Sequence, residues 1–160
     1  MNGFESEIHE RILKLNSHIT IAFKETQDNN SSLIKVLEGM TEIKHIAQTN
    51  EAEGFIKSTS KSSAVLIKSF NSNLRQLDRF QFIESNNIKR SELVIGEVLA
   101  QKMKLLVGDT ISLTIPNINS GRVSFLNNHS FRIKEIAVFG LQEYDSTLVL
   151  MNEKDAIDMM

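Results

Sequence analysis

Residues 92–115 read Glu92-Leu-Val-Ile-Gly96-Glu-Val-Leu-Ala-Gln-Lys-Met-Lys-Leu-Leu-Val-Gly108-Asp109-Thr-Ile-Ser-Leu-Thr-Ile115. Leu93, Val94 and Ile95 form a short apolar run that stops at Gly96. The pattern then changes to Leu99, Met103 and Leu106, the i, i+4, i+7 spacing of one helix face. Gly108-Asp109 breaks the chain, and Ile111, Leu113 and Ile115 alternate with Thr110, Ser112 and Thr114 as in a half-buried strand. The stretch therefore predicts strand, helix, strand, with the Val-Gly-Asp segment as a plain turn. Its polar side chains, Glu97, Gln101, Lys102 and Lys104, suit a solvated helix face.

Outward from this unit, the chain has 160 residues, enough for one ordinary domain or two small lobes. A hydrophobic fraction of 41% and a charged fraction of 24% are those of a folded protein. The net charge of -2 gives no global attraction to nucleic acid or an anionic membrane, so neither is an expected partner. With no cysteine there is neither a disulfide framework nor a thiolate zinc site. The longest apolar runs, Ala64 to Ile67, Ile136 to Phe139 and Leu148 to Met151, are far short of the roughly twenty residues that span a bilayer. The first residues lack the basic start and apolar stretch of a signal peptide.

In chain order, Phe4, Ile8, Ile12 and Leu15 predict a helix over the first fifteen residues, acidic early and basic late as the helix dipole favours. Ile19, Ile21 and Phe23 predict a strand. Leu33, Val36, Leu37 and Met40 predict a helix capped by Ser31 or Ser32, and Ile43 to Thr49 a returning strand, together a βαβ element over residues 17–50. Phe55 to Lys57 is a further candidate strand. The small, polar run Ser58 to Ser63 reads as a turn and a lobe boundary, and Ala64 to Phe70 as a strand. Residues 71–91 carry little signal.

Pro116 has no N–H for a ladder and ends the strand before it. Residues 116–130 then form a loop longer than packing requires, before a strand from Phe131 to Phe139. In that strand the apolar phase slips at Glu135, which a bulge or burial on both faces explains. Leu148 to Met151 predicts another strand, Asn152 an N-cap and Lys154 to Met160 a helix.

Reactive chemistry is scarce. His9, His18, His45 and His129 are scattered without metal-ligand spacing, no glycine loop could cradle a phosphate, and no nucleophile elbow occurs. Tyr144-Asp145-Ser146 reads as a hydrogen-bonded turn opening a strand. No catalytic residue, metal or cofactor is expected.

Three segments carry a family resemblance. They are Met1-Asn2-Gly3-Phe4 with Arg11-Ile12-Leu13 and His18-Ile19; Ile95-Gly96-Glu97 with Ala100, Leu106-Val107-Gly108-Asp109 and Leu113; and Tyr144-Asp145-Ser146 with Leu148-Val149, Met151 and Asp155-Ala156. Together they resemble the periplasmic domain of the lipoprotein-releasing ABC transporter permease family, the LolC/LolE type. The resemblance implies an α+β fold, a MacB-like periplasmic core made of a partial Porter αβ lobe and a β-rich Sabre lobe. On it, residues 1–16 are a membrane-proximal helix following a transmembrane segment upstream of Met1. Residues 17–60 are the first half of the Porter-like lobe. Residues 61–160 are the Sabre-like lobe with the protruding loop 116–130 and the start of the return to the Porter lobe.

In the family that loop position carries a hook that captures the periplasmic lipoprotein carrier, LolA. The resemblance makes Pro116, Arg122, Val123, Phe125 and Leu126 the candidate partner-binding residues. This loop is shorter than the usual hook and lacks further prolines, so it is either a minimal hook or the hookless LolE type. The implied partners are a LolA-like carrier, a LolD-like cytoplasmic ATPase, a second permease subunit and lipoprotein cargo. The implied place is the periplasmic face of the bacterial inner membrane. The alternatives are another permease of the MacB/FtsX superfamily, of exporter or cell-division type, and a free-standing soluble adaptor or enzyme.

Overall fold

A computed structural model describes residues 19–21, 30–43, 45–70, 87–119, 122–124 and 128–160. Its elements run α1 (Asn30–Glu38), β1 (Thr49–Lys57), β2 (Ser62–Phe70), β3 (Glu92–Gly96), α2 (Glu97–Met103) and β4 (Thr110–Thr114). They continue with β5 (Asn117–Asn119), β6 (Arg122–Ser124), β7 (His129–Ala137), α3 (Gln142–Thr147), β8 (Leu148–Asn152) and α4 (Glu153–Met159). Six strands close into a barrel in the order β1-β2-β8-β3-β7-β4, with β4 returning to β1. β2 with β8 and β3 with β7 are parallel pairs; the other neighbours are antiparallel.

Inward-facing side chains fill the barrel rather than leaving a channel, as a barrel this narrow requires. Ile56, Ile67, Leu93, Ile95, Ile111, Leu113, Ile133 and Val149 form its centre, and Leu99 and Met103 of α2 join them. A second apolar cluster lies outside the wall, where Val94, Ala137, Leu148 and Leu150 pack with Phe139, and Leu141 and Tyr144 pack against them. β3 and β8 are thus buried on both faces. That is why their sequences are unbroken apolar runs and not alternating ones.

The strand, helix, strand reading of residues 92–115 holds for β3, α2 and β4, but the helix is shorter than its apolar spacing predicts. It ends at Met103, and Lys104 takes a left-handed conformation at φ 57°. Leu105 becomes the buried residue, and Leu106 points into solvent. The Val-Gly-Asp turn is also more than a local reversal. Gly108 N–H donates to Ile133 O at 2.7 Å, and Ile133 N–H donates to Asp109 O at 2.9 Å. Gly108 has φ 96°, a conformation that L side chains rarely adopt, and this backbone shape aims the turn at β7.

The predicted irregularity at Glu135 is a bulge. Leu93 faces Ile133 but Val94 faces Glu135, leaving Lys134 as the extra residue. Lys134 Nζ pairs with Glu92 Oε2 at 3.1 Å and also donates to Asn87 O.

Several expectations need correction. The strand expected from Ile43 to Thr49 does not form: residues 45–48 are irregular and β1 runs from Thr49 to Lys57. The turn expected at Ser58 to Ser63 does form, as the hairpin between β1 and β2, which pair residue for residue from Thr49–Phe70 to Lys57–Ser62. A division at residue 60 therefore cuts through one sheet. Ile19 and Ile21 are exposed and in no strand, whereas Phe23 and the helix expected over the first fifteen residues lie outside the described residues. Tyr144-Asp145-Ser146 is part of the short helix α3, not a turn, because Asp145 reaches back from it. Its buried carboxylate accepts from Phe139 N–H at 2.6 Å and Gly140 N–H at 3.2 Å.

Two glycines separate steric from conformational constraint. A Cβ on Gly96 would stand 2.3 Å from Asp145 O, so α3 can approach β3 only because that atom is missing. A Cβ on Gly140 would meet nothing within 4 Å, but its φ is 79°. Gly96→Ala is expected to cost ~2 kcal/mol or more through overpacking against backbone. Gly140→Ala should cost only about 1 kcal/mol of left-handed strain. Urea denaturation of both variants measures the difference.

Partial burial disfavours the Glu92 carboxylate, but the Lys89 N–H and the Lys134 ammonium outweigh it and hold its pKa below the usual glutamate value. A depressed pKa stabilises the fold fully above the unfolded glutamate pKa and loses that contribution as pH falls through the folded one. The stability gap between the native chain and Glu92→Gln is therefore expected to be largest near neutral pH and to close in acid, as read from urea midpoints across the acid range.

Candidate docking site

The segment that stands apart from the barrel lies between β4 and β7. β4 ends at Thr114, and Ile115 and Pro116 follow, half-buried and in no strand. β5 and β6 then pair antiparallel as a sheet of their own, Asn117 with Ser124, Ile118 with Val123 and Asn119 with Arg122. Proline cannot donate to a ladder, so the main barrel sheet stops here and the hairpin begins a separate one.

The root of this hairpin is tightly built. The β4–β7 ladder runs from Thr110 opposite Arg132 to Leu113 opposite His129. One residue further out, buried Thr114 donates its Oγ1 hydrogen to Asn128 Oδ1, clipping the two chains where they diverge. β1 closes against the same point: a Cβ on Gly54 would stand 2.8 Å from Thr114 O and 2.7 Å from Ile67 Cδ1. The His129 side chain is on the same face of β7 as buried Phe131. Its Nε2 is buried with no hydrogen-bond partner among the described residues.

The structure places the residues expected to bind a partner as follows. Pro116 sits at the root. Arg122 and Val123 lie side by side on β6, facing Asn119 and Ile118 across the hairpin. Phe125 and Leu126 lie outside the described residues. Sequence reasoning did not single out Thr114 or Gly54. An alternating strand gives no sign that its last threonine will clip a residue fourteen positions later.

No three His, Cys, Asp or Glu side chains gather around a common point among the described residues. Asp145 is occupied by two backbone N–H groups, and Ser146 Oγ donates to Glu143 O at 2.9 Å. Neither is arranged as a nucleophile with a base.

Fold and site thus define a filled six-stranded barrel, with helices on its outside and a separate two-stranded hairpin rising from the end of one ladder. No family model matches the chain. It is similar to the lipoprotein-releasing system transmembrane protein LolC of Buchnera aphidicola subsp. Schizaphis graminum (strain Sg), with 24% identity over 168 residues. The similarity covers 100% of this chain and 41% of that protein, so the chain spans about two fifths of the length of its relative. It agrees with the resemblance carried by the three segments above. Among the described residues no helix is long and apolar enough to cross a membrane.

Thr114→Val removes the hydroxyl donor while keeping shape. It is expected to lower global stability by only ~1 kcal/mol. Amide exchange at the root, at residues 115, 128 and 129, should accelerate more than in β3 or β8, as hydrogen-exchange mass spectrometry can resolve.

Proposed function

We propose that the chain is the periplasmic domain of an ABC transporter permease that releases lipoproteins from the inner membrane and hands them to a periplasmic carrier. The observation that carries this reading is a hairpin with a sheet of its own, separate from the barrel sheet, in a chain similar over its whole length to LolC. On this reading the barrel is the Sabre-like lobe of a MacB-like core, and residues 116–130 form a short hook. Arg122, Val123, Phe125 and Leu126 engage the LolA-like carrier beyond the root at Pro116. Two short strands offer backbone edges as well as side chains to such a partner.

The domain acts mechanically. A LolD-like ATPase in the cytoplasm supplies the energy, and a second permease subunit completes the transporter. A barrel packed to its centre deforms little, so a displacement imposed on one part of it moves the hairpin as a rigid attachment. The Thr114–Asn128 clip and the Gly54 contact keep the root from absorbing that motion.

Replacing residues 117–127 with a two-residue Asn-Gly turn is expected to abolish retention of the carrier in a pull-down. The barrel should keep its melting temperature, since β5 and β6 pair with each other in a sheet of their own. Carrier retention by the shortened variant would reject the reading.

A further inference from the structure

Cations are unevenly placed on the barrel. The rim where the β1–β2 turn meets the turn after α2 collects Lys57, Lys61, Lys102, Lys104 and Arg132. Lys61 Nζ donates to Lys102 O, and Lys102 Nζ donates to Ser63 Oγ at 3.1 Å, tying the two turns together. Lys57 pairs across strands with Ser62 on one side and Ser112 on the other. Arg132 pairs with Thr110, and its Nη2 lies 3.8 Å from where a Cβ on Gly108 would stand.

An open cleft of about 240 Å³ lies between the turns, with Ser58, Thr59, Ser60, Lys104, Asp109 and Thr110 in its lining. Asp109 is the one carboxylate in that lining, and its Oδ2 is engaged by Leu106 N–H at 2.8 Å. The ammonium groups of Lys61 and Lys102 are held by neutral oxygens, which leave their charge uncompensated. None of the ion pairs among the described residues involves any of these five cations.

At the edge of the cleft the turn exposes two large apolar side chains in succession, Leu106 at 71% and Val107 at 60%. The helix-face spacing that should have buried Leu106 is broken by Lys104, which turns the chain outward. Apolar side chains at a turn tip, flanked by cations with long aliphatic stems and a hydroxyl-lined cleft, match a surface that is oily within and anionic at its boundary.

We infer that this rim docks on an anionic lipid surface. Leu106 and Val107 enter the headgroup region, and the lysines, Arg132 and the hydroxyls of Thr59 and Ser60 take phosphate oxygens. The net charge of -2 means that the attraction is local and depends on this rim's orientation. The inference is independent of the carrier-docking reading, which uses the hairpin.

Co-sedimentation of the 160-residue chain with vesicles tests it, using phosphatidylcholine alone and an equimolar mixture with phosphatidylglycerol. Binding is expected to the mixed vesicles only and to weaken as salt is raised. Lys57→Gln combined with Lys104→Asn, which suits left-handed backbone, should lower partitioning roughly thirtyfold, the equivalent of ~1 kcal/mol per lysine. Leu106→Ser with Val107→Ser should abolish binding at an unchanged melting temperature. The inference is overturned by absence of binding, by equal binding to neutral vesicles, or by undiminished binding of either variant. Displacement by free glycerol phosphate would also overturn it, because the cleft would then serve a soluble anion.

Discussion

The turn at Gly108-Asp109 is stitched to the middle of β7 through Ile133, and most of the structure depends on that attachment. It fixes β4 in register beside β7, with Ile111 opposite Phe131 and both inside the barrel. On the other side of β7, Arg132 N–H donates to Ser91 O at 2.9 Å, which places the start of β3 at the same level. A strand from late in the chain is thereby held between two strands from one strand-helix-strand unit. The helix linking them, α2, then has one place to go: over the end of the barrel, where Leu99 and Met103 close it.

Charge and backbone geometry reinforce this arrangement. The bulge in β7 puts Lys134 next to Glu92, and Ser91, at φ 62°, donates its N–H to Asp155 Oδ2 at 2.7 Å. Arg90 Nε adds a charged bond to Asp155 Oδ1 at 2.9 Å, so the segment entering β3 is held by the last helix as well as by β7. Asp145 does the same for the segment leaving β7. Asp145 is satisfied by two main-chain N–H groups and Asp155 by one together with the Arg90 guanidinium, the condition under which a charge can be buried at acceptable cost.

Much of this was legible in the sequence, in proportion to how local its cause was. β3, α2, β4 and β8 follow from apolar periodicity, the bulge follows from a slip in that periodicity, and Asn152 caps α4 by accepting from Lys154 N–H at 2.9 Å as its side chain predicts. What failed was set by partners distant in sequence. Leu106 fits the helix face, but Lys104 ends the helix because the chain must turn to reach Ile133. Residues 45–48 have strand-like composition but pair with no strand among the described residues, and pairing begins at Thr49. Tyr144-Asp145-Ser146 looks like a turn because its aspartate bonds backbone, yet the bonded N–H groups precede it and the segment itself is helical. At the root of the hairpin, Pro116 announced the end of the ladder, but the Thr114–Asn128 clip and the Gly54 contact depend on chain crossings that no short window contains.

The place of β8 in the sheet has a consequence for synthesis. This last strand is inserted between β2 and β3, pairing Leu66 with Leu148 on one side and Leu93 with Met151 on the other. Until residue 152 has left the ribosome, the wall has a gap one strand wide and the apolar interior stays open to water. No fragment that stops short of β8 can reach the final topology, so closure of the barrel is non-local, the regime in which chains fold slowly.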